Sequence, residues 1–478
     1  MILLHDAGGD RTATLAALPR IIRYFKNKGY TFTTVAGLLG TTRETLMPEL
    51  VSSSDVALSR INWLSAGIVW RGGRLLRAVF VVGIVLGIGR MALIILLAWR
   101  QRRKERAFVP SEWKPLVSVI VPAFNEEVNA VRTVQALMAS HYEPLEIVFV
   151  DDGSSDATYK HATEIFAGNE RVVVLTKPNG GKASALNFGI ARAKGEIVVC
   201  IDADTQLAPD AITRLVEQFV NDRVGAVAGN VQVGNAHNIL TRWQSIEYTV
   251  SQNLDKRAFA LLDCIMVVPG AIGAFRREAL LGLGNFATDT LAEDCDLTMR
   301  LLKEGYTVRS APEALAYTEA PETVQMFFKQ RFRWSFGILQ ALWKHREAFL
   351  NPQYRAFGMV ALPQAALFQF MLPLVAPVAD IMLLGGLLSG DVQQIGAYYG
   401  AFLAAELLAA IVAYSFDDAK ILSLSQVWSM LWLFMLQRFV YRYLMYVPLL
   451  RSLLSVVRGT LVGWGVLKRT GTVVVAKA

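Results

Sequence analysis

Asp202 and Asp204 are two carboxylates one residue apart, directly after the Val/Ile-rich run Ile197–Ile201. Hard oxygen ligands of this kind can share Mg2+ or Mn2+ and bridge it to a diphosphate. Such an ion would neutralise charge building on a departing nucleoside diphosphate. An Asp-x-Asp alone is common; this one gains weight from its place after a strand and downstream of a second acidic turn. That turn, Asp151-Asp152-Gly153-Ser154, follows the run Glu146–Val150. It can cap a helix, or Asp152 can accept hydrogen bonds from a nucleotide base. Lys177-Pro178-Asn179-Gly180-Gly181-Lys182 offers backbone N–H groups and the Lys182 ammonium to a phosphate, without the spacing of a P-loop.

Further along, Leu291-Ala292-Glu293-Asp294-Cys295-Asp296 puts three carboxylates in four residues ahead of a helix. Acids favour helix N-termini on electrostatic grounds. Alternatively, Asp294 is a general base that deprotonates an acceptor hydroxyl for attack on an anomeric carbon, with Glu293 and Asp296 as support or capping groups. Attack from the far face would turn an α-linked donor into a β-glycoside. Gln330-Arg331-Phe332-Arg333-Trp334 supplies a guanidinium suited to a diphosphate and an indole suited to a sugar ring, or else a snorkelling interface helix.

The elements that must position these groups are short Val/Ile runs alternating with amphipathic segments. Val117–Val121, Glu146–Val150, Val172–Leu175, Ile197–Ile201 and Val224–Ala228 are expected strands; Val128–Ser140, Ala183–Ala193 and Pro209–Val220 are expected helices. This alternation predicts an α/β domain over 110–320 with a largely parallel sheet. Ligands of such sheets bind at the carboxyl ends of the strands, where the residues above fall.

The rest of the chain points to a membrane. Of 478 residues, 53% are hydrophobic and 18% charged, and the mean hydropathy is +0.36, so apolar spans alongside a polar domain are expected. Val79–Trp99 is long enough to cross, within an expected span at 77–99, although Arg90 inside it is costly unless it faces protein or water. The run starts too far from Met1 for a signal peptide. Arg100 to Arg106 follow as a basic cluster, which predicts that residue 100 onward is cytoplasmic and that residues 1–76 lie outside. Residues 1–50 read as a helix at Leu15–Tyr24 and a β-prone run at Tyr30–Val35; 51–76 carries no clear assignment. Phe327 to Arg346, within a segment 321–350, reads as an interfacial helix or an ordinary domain helix. Phe357–Leu388, Ile395–Phe416 and Val427–Leu450 are apolar stretches within 357–450, and the tail 451–478 is basic. Three crossings would put that tail outside, its charge argues for inside, and Pro363, Pro373 and Pro377 allow the first stretch to be broken. The net charge of +8 is placed beside apolar runs, which argues against nucleic acid as a partner. Cys200, Cys264 and Cys295 form no CxxC pair, so neither a disulfide framework nor a zinc site is expected, as suits a reducing cytoplasm.

Taken as an ordered set over about 115–470, these motifs resemble the processive, inverting family-2 glycosyltransferases, which include cellulose, chitin, hyaluronan and poly-N-acetylglucosamine synthases. The resemblance implies a glycosyltransferase-A-like fold embedded in a multi-span helical membrane protein. It implies that Pro122, Asn125, Glu126, Asp152, Lys182, Asp202, Gln330, Arg333 and Trp334 bind the nucleotide donor, and that Asp202 and Asp204 hold the metal. Asp294 would be the base. Val268 to Arg276 looks like the family's acceptor-terminus segment, with Gly270, Ala271 and Ile272 joined by Glu293. The chain departs from the family in carrying Ala292-Glu293-Asp294 where Thr-Glu-Asp is usual, which spares both acids. Gly463-Trp464-Gly465 is similar to the cytoplasmic Trp-Gly element of hyaluronan-type synthases.

A second resemblance lies at the start. Ile2-Leu3-Leu4-His5-Asp6, the following helix and Lys28-Gly29-Tyr30-Thr31-Phe32 look like the closing segment of a polysaccharide deacetylase domain, with His5 as its late catalytic histidine. The upstream metal-binding residues of such a domain have no counterpart here, so a remnant or a fused deacetylase–synthase is expected. Deacetylases of this type act on N-acetylglucosamine polymers. The expectation is therefore a multi-pass enzyme of the cell membrane with a cytoplasmic catalytic domain. It would take a UDP-sugar, UDP-N-acetylglucosamine foremost, with Mg2+ or Mn2+, extend a β-linked polysaccharide, and pass it through the membrane. Membrane lipid and an accessory membrane subunit are the expected partners. The alternatives are a non-processive enzyme with a glycolipid acceptor, a glucan- or hyaluronan-type synthase, and a catalytically silent scaffold.

Overall fold

The computed structural model describes residues 12–49, 52–375, 377, 380, 392–417, 432–434, 436–458, 471 and 473. The segment around His5 and the Gly463-Trp464-Gly465 element lie outside the described residues. The chain divides into two compact units, Met1–Val79 and Phe80–Ala478.

In the first unit, α1 (Thr12–Asn27) is followed by two single turns, α2 (Val35–Leu38) and α3 (Arg43–Leu46). The β-prone run Tyr30–Val35 is not a strand. Among the described residues no second strand lies beside it to take its backbone hydrogen bonds, and Thr34 instead caps α2 by accepting from the Gly37 N–H at 3.1 Å. Helix α4 (Ser53–Arg106) then begins well before the expected span and takes in most of the unassigned 51–76 segment.

The second unit is built on one eight-stranded sheet: β1 (Val117–Ala123), β2 (Leu145–Asp151), β3 (Val172–Thr176), β4 (Ile197–Cys200), β5 (Gln206–Leu207), β6 (Val224–Val233), β7 (Gly273–Arg276) and β8 (Thr307–Thr318). Their spatial order is β3-β2-β1-β4-β7-β6-β8-β5. All five expected strands are present. The sheet is mixed rather than largely parallel, because β7 runs antiparallel to both β4 and β6, and β5 antiparallel to β8. Strands β3, β2, β1 and β4 are parallel, linked by crossover helices: α5 (Ala130–Met138), α6 (Thr158–Phe166) and α7 (Lys182–Ile190). Strand β7 enters from a loop instead, and alternation in sequence does not register such an insertion.

Strand β1 is buried along its whole length, as parallel strands covered on both faces are. Side chains alternate between two cores. Val117, Val119, Val121, Ile147, Phe149, Ile197 and Val199 pack on one face; Ile120, Val148, Val150, Val198 and Phe275 pack on the other.

After α8 (Ala211–Val216) and β6, a continuous helical run comprises α9 (Ile239–Val250), a π-helical turn Ser251–Lys256 and α10 (Arg257–Leu261). Two short helices follow, α11 (Arg277–Gly282) and α12 (Glu293–Lys303), and then the long α13 (Val324–Lys344). Helix α13 buries Phe327, Gln330, Arg331, Phe336, Gly337 and Ala341 against protein, so one face is seated on the domain, while Trp343 stays exposed.

Among the described residues, Ser53–Arg106, Phe357–Val375 and Trp432–Val457 are long and apolar enough to cross a membrane, and Tyr399–Ser415 is a shorter apolar helix. Arg90, the costly charge in α4, pairs with Asp255 on the π-helical turn and lies 5.2 Å from the Phe368 ring centroid. Gly471 and Val473 lie on the sheet domain. Gly471 accepts from Arg132 on α5 and donates to Glu319, both at 3.0 Å, and Val473 packs on Gly234 at the end of β6.

Candidate active site

The carboxyl ends of β1, β2 and β4 converge on one polar cluster. Beyond β1 the chain turns through Asn125, whose φ of 56° is left-handed. This turn is stitched to the one after β2: the Asn125 N–H donates to Ser154 Oγ at 2.9 Å, the Ser155 N–H donates to Asn125 Oδ1 at 2.9 Å, and the Glu126 N–H donates to Thr158 Oγ1 at 2.8 Å. Pro122 is buried at the end of β1, opposite Val150. Asp152 is buried too. Its carboxylate accepts from Lys177 Nζ at 2.6 Å and from the N–H groups of Gly180 and Gly181, the latter at 2.7 Å. It therefore holds the Lys177–Lys182 loop across the strand ends, because an ionised carboxylate is a strong acceptor for N–H groups gathered ahead of a helix.

That loop delivers Lys182 to the first position of α7. Its Nζ lies 2.5 Å from Asp202 and 3.4 Å from Glu293. Burial opposes the charge of Lys182, but Asp202, Glu293 and Asp294 outweigh it and hold the ammonium above the usual lysine range. Lys182 thus joins the strand-end acid to the acids of α12. Burial pushes both Glu293 and Asp294 above the ordinary carboxylate range, with Lys182 acting in the opposite direction. Asp294 Oδ2 accepts from the Gly270 N–H at 3.2 Å, and Oδ1 from the Cys295 N–H at 2.8 Å. Thr298 reinforces this contact: its hydroxyl donates to the Asp294 carbonyl at 2.6 Å and accepts from the Val268 N–H at 3.0 Å. A half-buried carboxylate whose pKa is raised, fixed against a backbone segment, is equipped to take a proton from a hydroxyl placed against it.

The structure brings together Asp202, Lys182, Glu293, Asp294 and Gly270. It places Ala271 and Ile272 elsewhere: both side chains are buried in the core, Ile272 against Gly229, whose N–H its carbonyl accepts from, so Gly270 is left as the part of that segment that meets Lys182 and Asp294. On α13, Gln330 is buried, and its Oε1 has no hydrogen-bond partner among the described residues. Trp334 is partly exposed, 6.3 Å from the Tyr248 ring. Arg331 makes a bidentate pair with Glu247 at 2.6 and 2.7 Å while its guanidinium lies 4.6 Å from the Trp334 ring centroid. Glu247 also accepts from Tyr441 in the last apolar helix. Within the pentad Gln330 to Trp334, Arg331 is therefore the structural guanidinium.

Sequence reasoning missed how α13 grips the segment carrying Asp294. Gln340 Oε1 accepts from the Leu291 N–H at 3.1 Å, and Lys344 reaches Asp289 at 2.9 Å and Asp296 at 3.0 Å. His345 Nε2 is 3.0 Å from Asp296 Oδ1, and Arg300 Nε is 2.9 Å from Asp296 Oδ2. Gly337 approaches so closely that a Cβ there would stand 2.8 Å from the Ala292 nitrogen. Only the buried acid Asp296 was visible beforehand, as a support group.

Asp202 is about one-third exposed and Asp204 is buried. No group of three or more His, Cys, Asp or Glu side chains arranged to hold a metal ion by themselves is found among the described residues. Two hard carboxylates suit Mg2+ or Mn2+ whose other ligands are phosphate and water oxygens, so the donor set fits such an ion when a diphosphate is bound. The three cysteines are free and buried. Burial, with Asp294 and Asp296 alongside, raises the Cys295 thiol well above its usual range, which excludes it as a nucleophile.

Residues 118–283 match the family model described as glycosyl transferase family 2. Poly-beta-1,6-N-acetyl-D-glucosamine synthase of Staphylococcus aureus strain COL is 34% identical over 247 residues, covering 52% of this chain and 60% of the relative. The protein of the same description from Staphylococcus epidermidis is 34% identical over 232 residues, covering 48% and 56%. The chain thus spans about 60% of the length of the curated relatives it matches. Among solved structures, a mannosyltransferase from Pyrobaculum calidifontis in complex with GDP-Man and Mn2+ aligns with a TM-score of 0.53 at 23% identity, over 72% of this chain and 98% of that one. The two share the fold of the sheet domain.

Proposed function

We propose that this chain, whose residues 118–283 match the glycosyl transferase family 2 model, is a membrane-bound, inverting, processive enzyme. It transfers N-acetylglucosamine from UDP-N-acetylglucosamine to a growing β-linked polysaccharide. The observation carrying this reading is the half-buried Asp294 against Gly270, beside Glu293, which Lys182 joins to Asp202. The names of the staphylococcal relatives support the choice of sugar.

In this mechanism the acceptor terminus rests against Gly270, and Asp294 takes the proton of its attacking hydroxyl. Gln330 and Arg333 bind the donor diphosphate, Trp334 offers its ring to the sugar, and Lys182 balances negative charge between donor and base. Asp202 and Asp204 would hold Mg2+ or Mn2+, which supplies charge neutralisation to the leaving diphosphate. Asp152 acts one step back, by fixing the loop that presents Lys182.

Passage of the product is supported by a cavity of about 490 Å3 lined by Arg90, Glu247, Asp255, Gln364, Gln369 and Gln437. Polar groups facing the interior of apolar helices are expensive and mark a pathway, and a hydroxyl-rich polymer could satisfy them. Glu247 links this cavity to Trp334 through Arg331. The basic run Arg100 to Arg106 favours a cytoplasmic sheet domain in the cell membrane. Because Gly471 lies on that domain, the chain between 357 and 458 crosses an even number of times in this reading.

Washed membranes given labelled UDP-N-acetylglucosamine, UDP-glucose and UDP-glucuronate, singly and in pairs with Mg2+ or Mn2+, test the proposal. A large product from UDP-N-acetylglucosamine alone, cleaved by a β-N-acetylglucosaminidase, is expected. Product only from another donor, or only a small solvent-extractable one, rejects the sugar or the processivity. Gly270→Ala sharpens the test. A Cβ there would press on Lys182 Nζ, displacing that ammonium from its position beside Asp202. The donor KM should rise about tenfold with little change in melting temperature; an unchanged KM removes Lys182 from the donor site.

A further inference from the structure

At the opposite ends of the strands from Asp294, a cavity of about 380 Å3 opens where β6 and β8 begin, beside the last turn of α4. Four carboxylates line it, and three are already engaged. Glu105 pairs with Arg257 at 2.9 Å, while Glu217 and Glu313 pair with Arg214 at 3.4 and 3.3 Å. Against the fourth, Asp263, stand Lys104, Arg106 and Arg309, none of which has an ion-pair partner among the described residues. Arg309 is only partly exposed, and its guanidinium lies 4.8 Å from the Phe108 ring centroid. Burial pulls its pKa below the usual arginine value, with Asp263 opposing, so this cation lacks full compensation. Arg102 on the same wall donates to the Ser415 carbonyl and lies 4.9 Å from the Phe416 ring, tying the cavity to the end of the apolar helix Tyr399–Ser415.

We propose that this basic cavity is a binding site for a phosphate-bearing anion, and that Arg309 is its principal ligand. A guanidinium with open donors and two flanking cations matches a phosphate ester. The surplus of positive charge favours an anion over a neutral sugar. Phe108 and Pro110 give one wall an apolar surface suited to a glycerol backbone. Two sources share this chemistry: the headgroup of an anionic phospholipid, and a soluble phosphoester. The first follows if α4 crosses the membrane as the proposed function holds, since the cavity then sits at headgroup level. The phosphate site itself does not depend on the transfer reaction.

The full chain, purified in neutral detergent, is titrated with phosphatidylglycerol, with phosphatidylcholine, and separately with sn-glycerol 1-phosphate and inorganic phosphate, and bound adducts are counted by native mass spectrometry. Retention of phosphatidylglycerol over phosphatidylcholine, weakened about tenfold in Arg309→Gln, supports the lipid-headgroup source. Uptake of glycerol phosphate or inorganic phosphate with the same loss, and no phospholipid preference, supports a soluble ligand at the same site. If Arg309→Gln fails to fold, the double variant Lys104→Gln/Arg106→Gln provides the same comparison. Anion binding equal in wild type and a folded variant overturns the proposal, as does wild-type protein that prefers no anion. Sugar incorporation is assayed in parallel, so a chain that binds the anion but transfers no sugar rejects the functional reading and leaves this site standing.

Discussion

Asp294→Asn should abolish nearly all sugar incorporation while leaving nucleotide binding almost unchanged. The amide keeps an oxygen to accept from the Gly270 N–H but cannot take a proton. Loss of a positioned general base costs roughly 10²–10⁴-fold in turnover, so kcat falls by that factor and the Kd for UDP stays near wild type. Burial makes the wild-type carboxylate unfavourable, but the amide nitrogen would face the Cys295 N–H that Oδ1 now accepts from, so the two effects oppose and the melting temperature should change little. Turnover within a few-fold of wild type would remove Asp294 from the chemistry. A catalytically silent scaffold makes a different forecast, because its cellular phenotype would survive the substitution.

The same group sets a pH dependence. A general base works as the carboxylate, and burial raises the pKa of Asp294, with Lys182 partly offsetting it. Activity should therefore rise with pH along a limb lying above the ordinary aspartate value of about 3.9. Lys182→Met removes the offsetting cation, so the limb should move to still higher pH. A limb at the ordinary carboxylate value, or one that Lys182→Met shifts downward, contradicts the charge arrangement at Asp202, Lys182 and Glu293.

What was legible in the sequence was what is local. Strands β1, β2 and β4 are Val/Ile-rich runs because both faces are buried, and a buried run needs no partner to be recognised. The acidic turns sit at their ends for the same reason. Strand β8 was not legible: Thr307–Thr318 contains Pro312 and Glu313, and its pairing with β6 is irregular in register, so neither apolar continuity nor clean alternation announces it. Helix α4 was only half visible, since Arg71, Gly72, Gly73 and Arg74 interrupt the apolar pattern without interrupting the backbone. Asp152 shows the limit at a single residue. Its type and place after β2 were readable, but that its carboxylate would be taken up by Lys177, Gly180 and Gly181 is a relation across about thirty residues that only the folded chain displays.

Asp296 carries the largest expected effect on stability, for a reason equally hidden from the sequence. The side chain is fully buried among Arg300, Lys344 and His345. Although burial opposes its charge, the hydrogen bonds from His345 and Lys344 and the nearby Arg300 hold its pKa below the ordinary carboxylate range. Asp296→Ala leaves the Arg300 and Lys344 cations and the His345 ring without their shared partner, which costs about 3 kcal/mol by analogy with other broken buried pairs. Because the folded pKa is depressed, the contribution is complete above the unfolded value of about 3.9 and is lost as pH falls through the folded value. The difference in stability between wild type and Asp296→Ala should therefore be largest at neutral pH and shrink below about pH 4. Denaturant unfolding at several pH values measures it, and a gap that stays constant into acid would show that Asp296 is not the charged partner. Activity gives a second reading. His345 and Lys344 end the helix that carries Gln330, Arg333 and Trp334, and Asp296 lies two residues after the base. Loosening this clamp should lower kcat about tenfold in folded protein, since a displacement of about 1 Å is enough to disturb proton transfer, while the Kd for UDP holds. If kcat also holds, the clamp supports the fold alone, and the base is positioned by Gly270 and Thr298.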